Sequence, residues 1–445
     1  MIVLSLLVVA LIGALIIPVI PQRAAAQTPN QPPATDAAAL IGQVTEQLRE
    51  RDGKPPDAAE LVAAINSLSL QLFQDGQYPE ATEVAALALE RAERVLGGEH
   101  PGTLNSVNNL ASLLYLTQGR HGEAELLFRR AHDASKRVLD AEHPDTLTYI
   151  YNLAELYVGQ GRYGEAEPLY RRALGGRERV LGAEDPDTLM SVSGLARLYQ
   201  AQGRYDEAEP LYRRALEASE RVLGAEHPST LVTVNGLAIA HHMQGRYSEA
   251  ERLYRRALEA YERVLGTEHP NTLNGVNNLA ALYADEGRYG EAERLFRRAL
   301  EASERVLDAE HPYTIDFQLN LAVLWINQAR LDAALRALRT LDGRLRRLVT
   351  QELSNTEQEA VRLQRLAAES RLQDVVFTLA LAHPDNADAR RLAADVLLRW
   401  KRLAADEEGV IARLARTSED PRVVDLAAEI RASRRTLSRL VHRPR

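Results

Sequence analysis

A repeat of about 42 residues organises most of this 445-residue chain and constrains its fold more than any other feature. The loop prolines stand 43, 42, 42, 42 and 42 residues apart, at Pro101, Pro144, Pro186, Pro228, Pro270 and Pro312. Fixed periods of roughly 20–50 residues are typical of solenoids, in which each unit buries its apolar face only against its neighbours. The period therefore predicts a stacked array in place of one globular core.

Each unit has the pattern of a helix hairpin. Pro144 stands where a helix begins, because the missing N–H of a proline has no partner to lose in a first helical turn. Gly161 follows the first helix, where a left-handed cap favours glycine. The second helix carries a predicted apolar face at helical spacing, formed by Ala166, Leu169, Tyr170 and Ala173. An earlier copy without the proline and a last copy with Ala329 in the glycine position extend the array to seven helix pairs.

One unit contains an extra residue. The spacing from Pro101 to Pro144 is 43 residues, and the insertion lies between Asn109 and Gly119. We expect either a wide turn or a π-bulge at this point, since both absorb one residue at a helix end or within a helix.

The units resemble tetratricopeptide repeats of the 42-residue kinesin light chain type. The resemblance rests on the motifs Asn-Leu-Ala, Gln-Gly-Arg-Tyr, Glu-Ala-Glu and Arg-Arg-Ala-Leu, in register in the successive copies. It implies an all-α, right-handed superhelical solenoid of antiparallel helix pairs. It also implies that the first helices line a concave groove, which binds an extended segment of a protein or peptide partner.

The helical C-terminal region, residues 342–445, is more weakly similar to the region that follows such repeats in bacterial proteins ending in a CHAT domain. That domain is similar to caspase-like proteases and needs a His and a Cys, and this chain has no cysteine. Protease activity is therefore not carried over. The alternative function is that of a regulatory or adaptor half of a CHAT-type system, whose catalytic domain is missing or lies on another chain.

The N-terminus is apolar from Ile2 to Ile20, and the small residues Ala24 and Ala26 follow. This pattern predicts a signal peptide cleaved after Ala26, although no basic residue precedes the apolar run. An uncleaved membrane anchor is the alternative, because the run nearly reaches the ~20 residues that span a bilayer. We expect an exported protein, periplasmic or extracellular, or one anchored with its repeats outside the cytoplasm.

Four regions are predicted from these patterns. They are a signal peptide or anchor at 1–26, a linker with a possible short helix at 27–56, seven helix pairs at 57–341, and the helical region at 342–445.

The candidate peptide-binding groove is the face of the first helices that lies opposite their core stripe. Asparagine is a poor residue for the middle of a helix, yet its amide can both donate to and accept from an extended backbone. The resemblance implies this role for the asparagines that precede Leu-Ala, whereas Gly194 and Gly236 interrupt the series and leave an apolar middle. The alternative is that the amides cap turns or bridge repeats. The predicted groove residues are Asn105, Asn109, Asn152, Glu155, Arg197, Asn235, Asn274, Asn278 and Asn320.

Other kinds of site find no support in the sequence. The net charge of −8 gives no electrostatic basis for binding nucleic acid. Histidines recur before the loop prolines, but copies one repeat apart cannot share a metal ion at ligand distances of ~2 Å. His241 and His242 are expected to be exposed or at the groove edge. No phosphate loop or nucleophile motif is present. We predict no enzymatic activity, no cofactor and no metal, and the sequence gives no indication of the oligomeric state.

Overall fold

The computed structural model describes residues 37–352, apart from 76, 119, 308 and 310, and residues 359–398. Throughout these residues the regular structure is α-helical, without a strand. The helices are α1 (Ala37–Asp52), α2 (Ala58–Gln74), α3 (Tyr78–Leu96), α4 (Pro101–Gln118), α5 (His121–Val138), α6 (Pro144–Gly159), α7 (Tyr163–Val180), α8 (Pro186–Ala201), α9 (Tyr205–Val222), α10 (Pro228–Met243), α11 (Tyr247–Leu265), α12 (Pro270–Asp285), α13 (Tyr289–Val306), α14 (Pro312–Asn327), α15 (Leu331–Glu352) and α16 (Glu359–Ala382). Residues 387–398 are also helical.

The helices from α2 to α15 form seven consecutive pairs. We call the first helix of each pair its A helix (α2, α4, α6, α8, α10, α12 and α14) and the second its B helix (α3, α5, α7, α9, α11, α13 and α15). The two helices of a pair pack together, and each B helix packs on the next A helix. The predicted all-α array of helix pairs is confirmed. The predicted leader at 1–26, the residues 27–36 and the C-terminal residues 399–445 lie outside the described residues.

The recurring histidines are helix N-caps. The Nδ1 atom of His143 accepts a hydrogen bond from the Asp145 N–H at 3.2 Å, and His227 does the same for Ser229 at 3.2 Å. Asp185 replaces histidine at this position, and its carboxylate accepts from the Asp187 N–H at 2.9 Å. Both side chains place an acceptor over the open amides of the first turn, so the substitution keeps the cap.

The glycines that follow α6, α8, α10 and α12 adopt the left-handed conformation that their position requires. Gly161 has φ of 72°, and the Arg162 N–H then bonds the Tyr157 carbonyl at 2.8 Å. Ala329 keeps this conformation in the last copy, with φ of 59°. In the long unit the Arg120 N–H reaches one residue further back, to the Leu114 carbonyl at 3.1 Å. The extra residue therefore widens this turn, and α4 is α-helical throughout, without a π segment.

The repeated Arg and Glu motifs join consecutive units. Arg204, in the turn after α8, reaches back to Glu167 on α7 at 2.9 Å and stacks 4.1 Å above the ring of Tyr199. The same arrangement recurs around Arg288, which pairs with Glu251 at 2.8 Å and stacks on Tyr283. A cation held over an aromatic face gains about 0.5–2 kcal/mol. These contacts add to the apolar packing between neighbouring units.

Small residues form the centre of the core. Ala166, Tyr170 and Ala173 on α7 are fully buried, as the predicted stripe requires, whereas Leu169 is only partly buried. Small side chains let two helices approach closely while the ring of Tyr170 fills the space beside them.

The chain divides into two compact units, one up to Arg371 and one from Leu372. In the second unit, apolar side chains at helical spacing are buried, among them Leu372, Val376, Leu379 and Leu392. Among the described residues, no helix is both long enough and apolar enough to cross a membrane.

Candidate functional site

All the predicted groove residues except Asn235 lie on what we call the A-helix wall, the face of the A helices formed by the positions equivalent to Thr148, Asn152, Glu155 and Gly159 on α6. Asn235 is equivalent to Tyr151, one residue before a wall position. Adjacent A helices contact one another directly, for example α6 with α8 and α12 with α14. Side chains on this wall therefore meet across repeat boundaries, which a single hairpin does not reveal.

Four of the predicted asparagines, Asn152, Asn235, Asn278 and Asn320, take part in amide–amide hydrogen bonds between neighbouring A helices. The side-chain N–H of Asn152 donates to the Oδ1 atom of Asn108 at 2.9 Å. Asn278 donates to Asn235 at 3.1 Å, and the buried Asn320 donates to Asn277 at 2.9 Å. Each bond joins an A helix to the A helix before it. The structure thus supports the bridging alternative for these side chains, and the Asn acceptors at 108 and 277 were not among the predicted groove residues.

The remaining predicted asparagines are half-buried on the same wall. Asn105 accepts a hydrogen bond from the Tyr149 hydroxyl at 2.7 Å, and this bond also joins consecutive A helices. Asn109 is half-buried. Asn274 is half-buried as well, and its Oδ1 atom is shielded from solvent and has no hydrogen-bond partner.

Glu155 and Arg197 form an ion pair between α6 and α8, with 14% and 17% of their side chains exposed. The Tyr170 hydroxyl donates to the other carboxylate oxygen of Glu155 at 2.5 Å, and the Tyr115 hydroxyl lies 3.4 Å from the backbone carbonyl of Glu155. The two predicted charged residues of the groove are thus paired with each other and held by tyrosines from two further helices.

The low exposure of this cluster changes the acidity of its members. Burial raises the pKa of the Tyr115 hydroxyl to about 12, and burial together with the nearby Glu155 charge raises the pKa of Tyr170 well above its usual value. Burial opposes the charge of Arg197, but the facing Glu155 outweighs it, and the pKa of Arg197 ends well above its ordinary value. The guanidinium is therefore charged and the phenols neutral across the physiological range.

The two glycines that interrupt the asparagine series are covered by the protein's own tyrosines. A Cβ atom at Gly194 would lie 2.9 Å from ring carbons of both Tyr151 and Tyr170. At Gly236 it would lie 2.6 Å from two ring carbons of Tyr212. The apolar middle expected from the sequence is therefore filled at these two positions, and both glycines are buried.

The sequence of the B helices contains an indication of these two glycines. Tyr170 and Tyr212 precede the glycine-containing A helices, whereas Phe128 and Phe296 at the equivalent B-helix position precede Asn152 and Asn320. A further tyrosine at this position precedes Asn278, so the correlation is incomplete.

Arg177 is a buried cation that sequence reasoning missed. Its guanidinium donates to Ser191 at 2.8 Å, to the Asp187 carbonyl at 3.0 Å and to Thr148 at 3.0 Å. It is 1% exposed, and burial lowers its pKa. Its contacts tie α7 to the A helices on both sides. The signal lay in residues 175–177, Gly-Gly-Arg, where the equivalent residues 217–219 read Glu-Ala-Ser.

The paired histidines are buried, contrary to expectation. His241 and His242 are 2% and 3% exposed, and the Nε2 atom of His242 lies 2.8 Å from a carboxylate oxygen of Asp285 on α12. The ring of His242 packs edge-on against Tyr247 and Tyr254 of α11, with ring centroids 5.9 and 6.2 Å away. In the part of the chain that the structure describes, no group of three or more His, Asp or Glu side chains is arranged to hold a metal ion.

The repeated hairpins, their caps and their inter-repeat bonds define a helical-repeat protein. Two Tetratricopeptide repeat family models match it, one at residues 60–137, 114–179 and 187–263 and the other at 272–313. Together they cover more than half of the chain. The chain therefore belongs to the tetratricopeptide repeat family.

Solved structures are similar to the chain over different lengths. A protein of Podosopora anserina described as a kinesin light chain with nearly identical TPR-like repeats is 29% identical, over 47% of this chain and 99% of that one, with a TM-score of 0.41. A Rap protein complexed with Competence and Sporulation Factor is 14% identical over 83% and 93%, with a TM-score of 0.55. The apo quorum sensor NprR of B. thuringiensis is 17% identical over 81% and 94%, also with a TM-score of 0.55. No curated protein matches the chain.

Proposed function

We propose that this protein is a non-enzymatic interaction scaffold that binds an extended peptide or protein segment along the A-helix wall. Membership of the tetratricopeptide repeat family supports a role in protein–protein interaction. Among the solved structures, the Rap protein is complexed with Competence and Sporulation Factor, and its fold is similar to that of this chain. The groove residues proposed are those predicted from the sequence.

One observation supports this proposal most directly. On α12, the Oδ1 atom of the half-buried wall residue Asn274 is shielded from solvent and has no hydrogen-bond partner. A buried polar group without a partner costs about 1–3 kcal/mol. An extended backbone presents N–H groups at regular intervals, and such an N–H is the kind of partner that the Asn274 oxygen lacks.

The inter-repeat bridges are compatible with ligand contact. An asparagine side chain has two N–H donors and an oxygen with two lone pairs, and the bridge from Asn152 uses one donor. Bridging positions the amide and leaves hydrogen-bonding capacity on it. The asparagines in this proposal therefore serve both the array and the ligand.

Asn274 separates the ligand-binding role from the bridging role. We expect Asn274→Ala to weaken peptide binding about tenfold, which is ~1.4 kcal/mol. The melting temperature should stay the same or rise, because the substitution removes a shielded oxygen that has no hydrogen-bond partner. Asn152→Ala combined with Asn278→Ala should lower stability by about 1 kcal/mol for each bridge removed. The probes are twelve-residue peptides selected against the full chain by phage display, with affinities from fluorescence polarisation and stability from thermal unfolding.

Glu259→Ala on the exposed face of α11 is the matched control. It should change neither the affinity for the selected peptides nor the melting temperature. If the selected peptides bind Asn274→Ala and Glu259→Ala equally well, the A-helix wall is not their site. If no peptide is selected, the proposed function is wrong.

We also propose that the protein is exported, with its repeats outside the cytoplasm. The support is the apolar N-terminal sequence followed by Ala24 and Ala26. N-terminal sequencing of the protein from the producing cells should find Gln27 as the first residue. A mature protein that begins near Met1 would rule out cleavage, and recovery in the cytoplasmic fraction would overturn export altogether.

A further inference from the structure

Asp316 is the acidic residue of the A-helix wall that has lost most of its contact with water. It lies on α14, in register with Thr148, Met190, Val232 and Asn274 of the preceding A helices, and it is the charged residue among them. It is 3% exposed. Burial raises its pKa to about 6, although a neighbouring guanidinium opposes that rise. A carboxylate in this setting is stabilised mainly by a cation placed directly against it.

The structure shows which cation fits there. The Nη2 atom of Arg371 lies 2.6 Å from the Oδ1 atom of Asp316, and both residues belong to the first compact unit. The contact uses the guanidinium incompletely, because the Nε–H of Arg371 is buried and has no hydrogen-bond partner. A guanidinium therefore reaches Asp316, but Arg371 leaves part of its donor capacity unused.

Further acceptors lie on the neighbouring A helix. The Oδ1 atom of Asn274, at the register position of Asp316 one repeat earlier, has no partner, and neither has the Oδ1 atom of Asn278 one turn further along α12. A guanidinium has five N–H donors and no acceptor, and its planar fork matches more than one oxygen at once. A carboxylate on one A helix and unpaired amide oxygens on the A helix before it offer the acceptors that an arginine side chain requires.

We propose that Asp316, together with Asn274, forms a subsite that binds an arginine side chain of the ligand. Arg371 holds this subsite in the free protein, and the arginine of the ligand replaces it. The proposal rests on the proposed function of the A-helix wall and names one chemical requirement of its ligand. The charge distribution agrees with it, since residues 1–340 carry a net charge of −12 and therefore attract a basic segment.

The subsite is tested without knowledge of the natural ligand. The probes are acetyl-arginine amide and acetyl-citrulline amide, which have the same shape but differ in charge. They are titrated by NMR into the full chain with carbon-13-labelled aspartate carboxyl groups, and the Asp316 signal is assigned by its loss in Asp316→Asn. The shift of this signal during the titration gives the affinity of the probe. We expect the arginine probe to bind Arg371→Ala at least fivefold more tightly than the unchanged chain, because the competing side chain is gone. The citrulline probe should not shift it.

Arg371→Gln removes the charge but keeps a polar side chain that favours helices, and it should give the same result if Arg371→Ala disturbs the helix. Equal affinity of the arginine probe for the unchanged chain and both Arg371 variants, or equal binding of the two probes, would overturn the subsite. Such a result would not refute the proposed function, because peptide binding that depends on Asn274 does not require the arginine subsite. Conversely, the arginine probe could bind as expected while no peptide is selected by phage display. That result would refute the proposed function and would not refute the arginine subsite.

Discussion

Glu155→Ala is expected to lower the free energy of unfolding by about 3–5 kcal/mol, because it leaves the guanidinium of Arg197 largely buried without its counter-charge. The same substitution removes the acceptor of the Tyr170 hydroxyl, which is buried in the same cluster. A buried ion pair is not in itself strongly stabilising, since the cost of removing two charges from water offsets much of their attraction. The large loss arises from breaking the pair, so it should depend on whether Arg197 is still present.

The double variant Glu155→Leu with Arg197→Met tests this reason. It replaces both charges by apolar side chains of similar size, and we expect it to recover most of the stability lost in either single variant. The matched control is Glu268→Ala, whose pair with Arg305 is about half exposed on both sides and should be worth less than ~1 kcal/mol. Urea unfolding of the full chain, followed by circular dichroism, gives the comparison. A double variant as unstable as the sum of the two single variants would contradict the explanation.

Because stability in repeat arrays is a sum of local terms, the loss should also be local. Hydrogen exchange is expected to rise first in α6 and α8, where Glu155 and Arg197 lie. Uniform acceleration of exchange in all helices would indicate that the array unfolds as one cooperative unit.

Gly236→Ala is expected to destabilise the protein by about 1–3 kcal/mol, the usual cost of forcing extra volume into a packed core. The added methyl group would lie 2.6 Å from two ring carbons of Tyr212, and this rigid ring has to move before the substitution is accommodated. Alanine is otherwise favoured over glycine within a helix by about 1 kcal/mol, so a loss would show that the steric effect prevails.

Gly275 on α12 provides the matched control. It too is buried within an A helix, but a Cβ atom there would meet only Leu258 and Tyr261, both at an ordinary 3.7 Å. Gly275→Ala should therefore leave stability unchanged or raise it. Combining Gly236→Ala with Tyr212→Leu should cost less than the two single changes added together, because the smaller side chain removes the clash. Equal effects of Gly236→Ala and Gly275→Ala on the thermal unfolding midpoint would refute the role assigned to Tyr212.

The candidate site shows where prediction from the sequence reached its limit. The spacing of Asn152 and Asn278 predicts that they lie on one face of the A helices, because that depends only on the 3.6-residue period of each helix. Their partners depend on the lateral offset between adjacent A helices. Asn152 bonds Asn108 and not Asn109, and one residue of offset decides between them. The sequence of a single hairpin does not determine this offset, because the offset is a relation between two neighbouring hairpins.

The periodic histidines illustrate a different limit. Their position before each proline predicted a loop, and the N-cap at His143 is a local hydrogen bond of the kind that capping patterns describe. Asp185 stands at the same position, and aspartate is a preferred N-cap residue, so its presence indicates a helix cap there. The cap could therefore have been predicted from the sequence, whereas the partners of Arg177 on two other helices could not.

The sequence by itself determined the repeat length, the helix hairpins and the apolar stripe centred on Ala166 and Tyr170, because these follow from short-range periodicity and backbone chemistry. Only the tertiary structure decided how neighbouring hairpins meet. It buried Glu155 against Arg197, filled the space at Gly194 and Gly236 with tyrosine rings, and joined asparagines across repeats. The physical reason is that side chains about 40 residues apart in sequence interact through the close packing of adjacent helices, and small shifts in that packing change which atoms lie within hydrogen-bond distance.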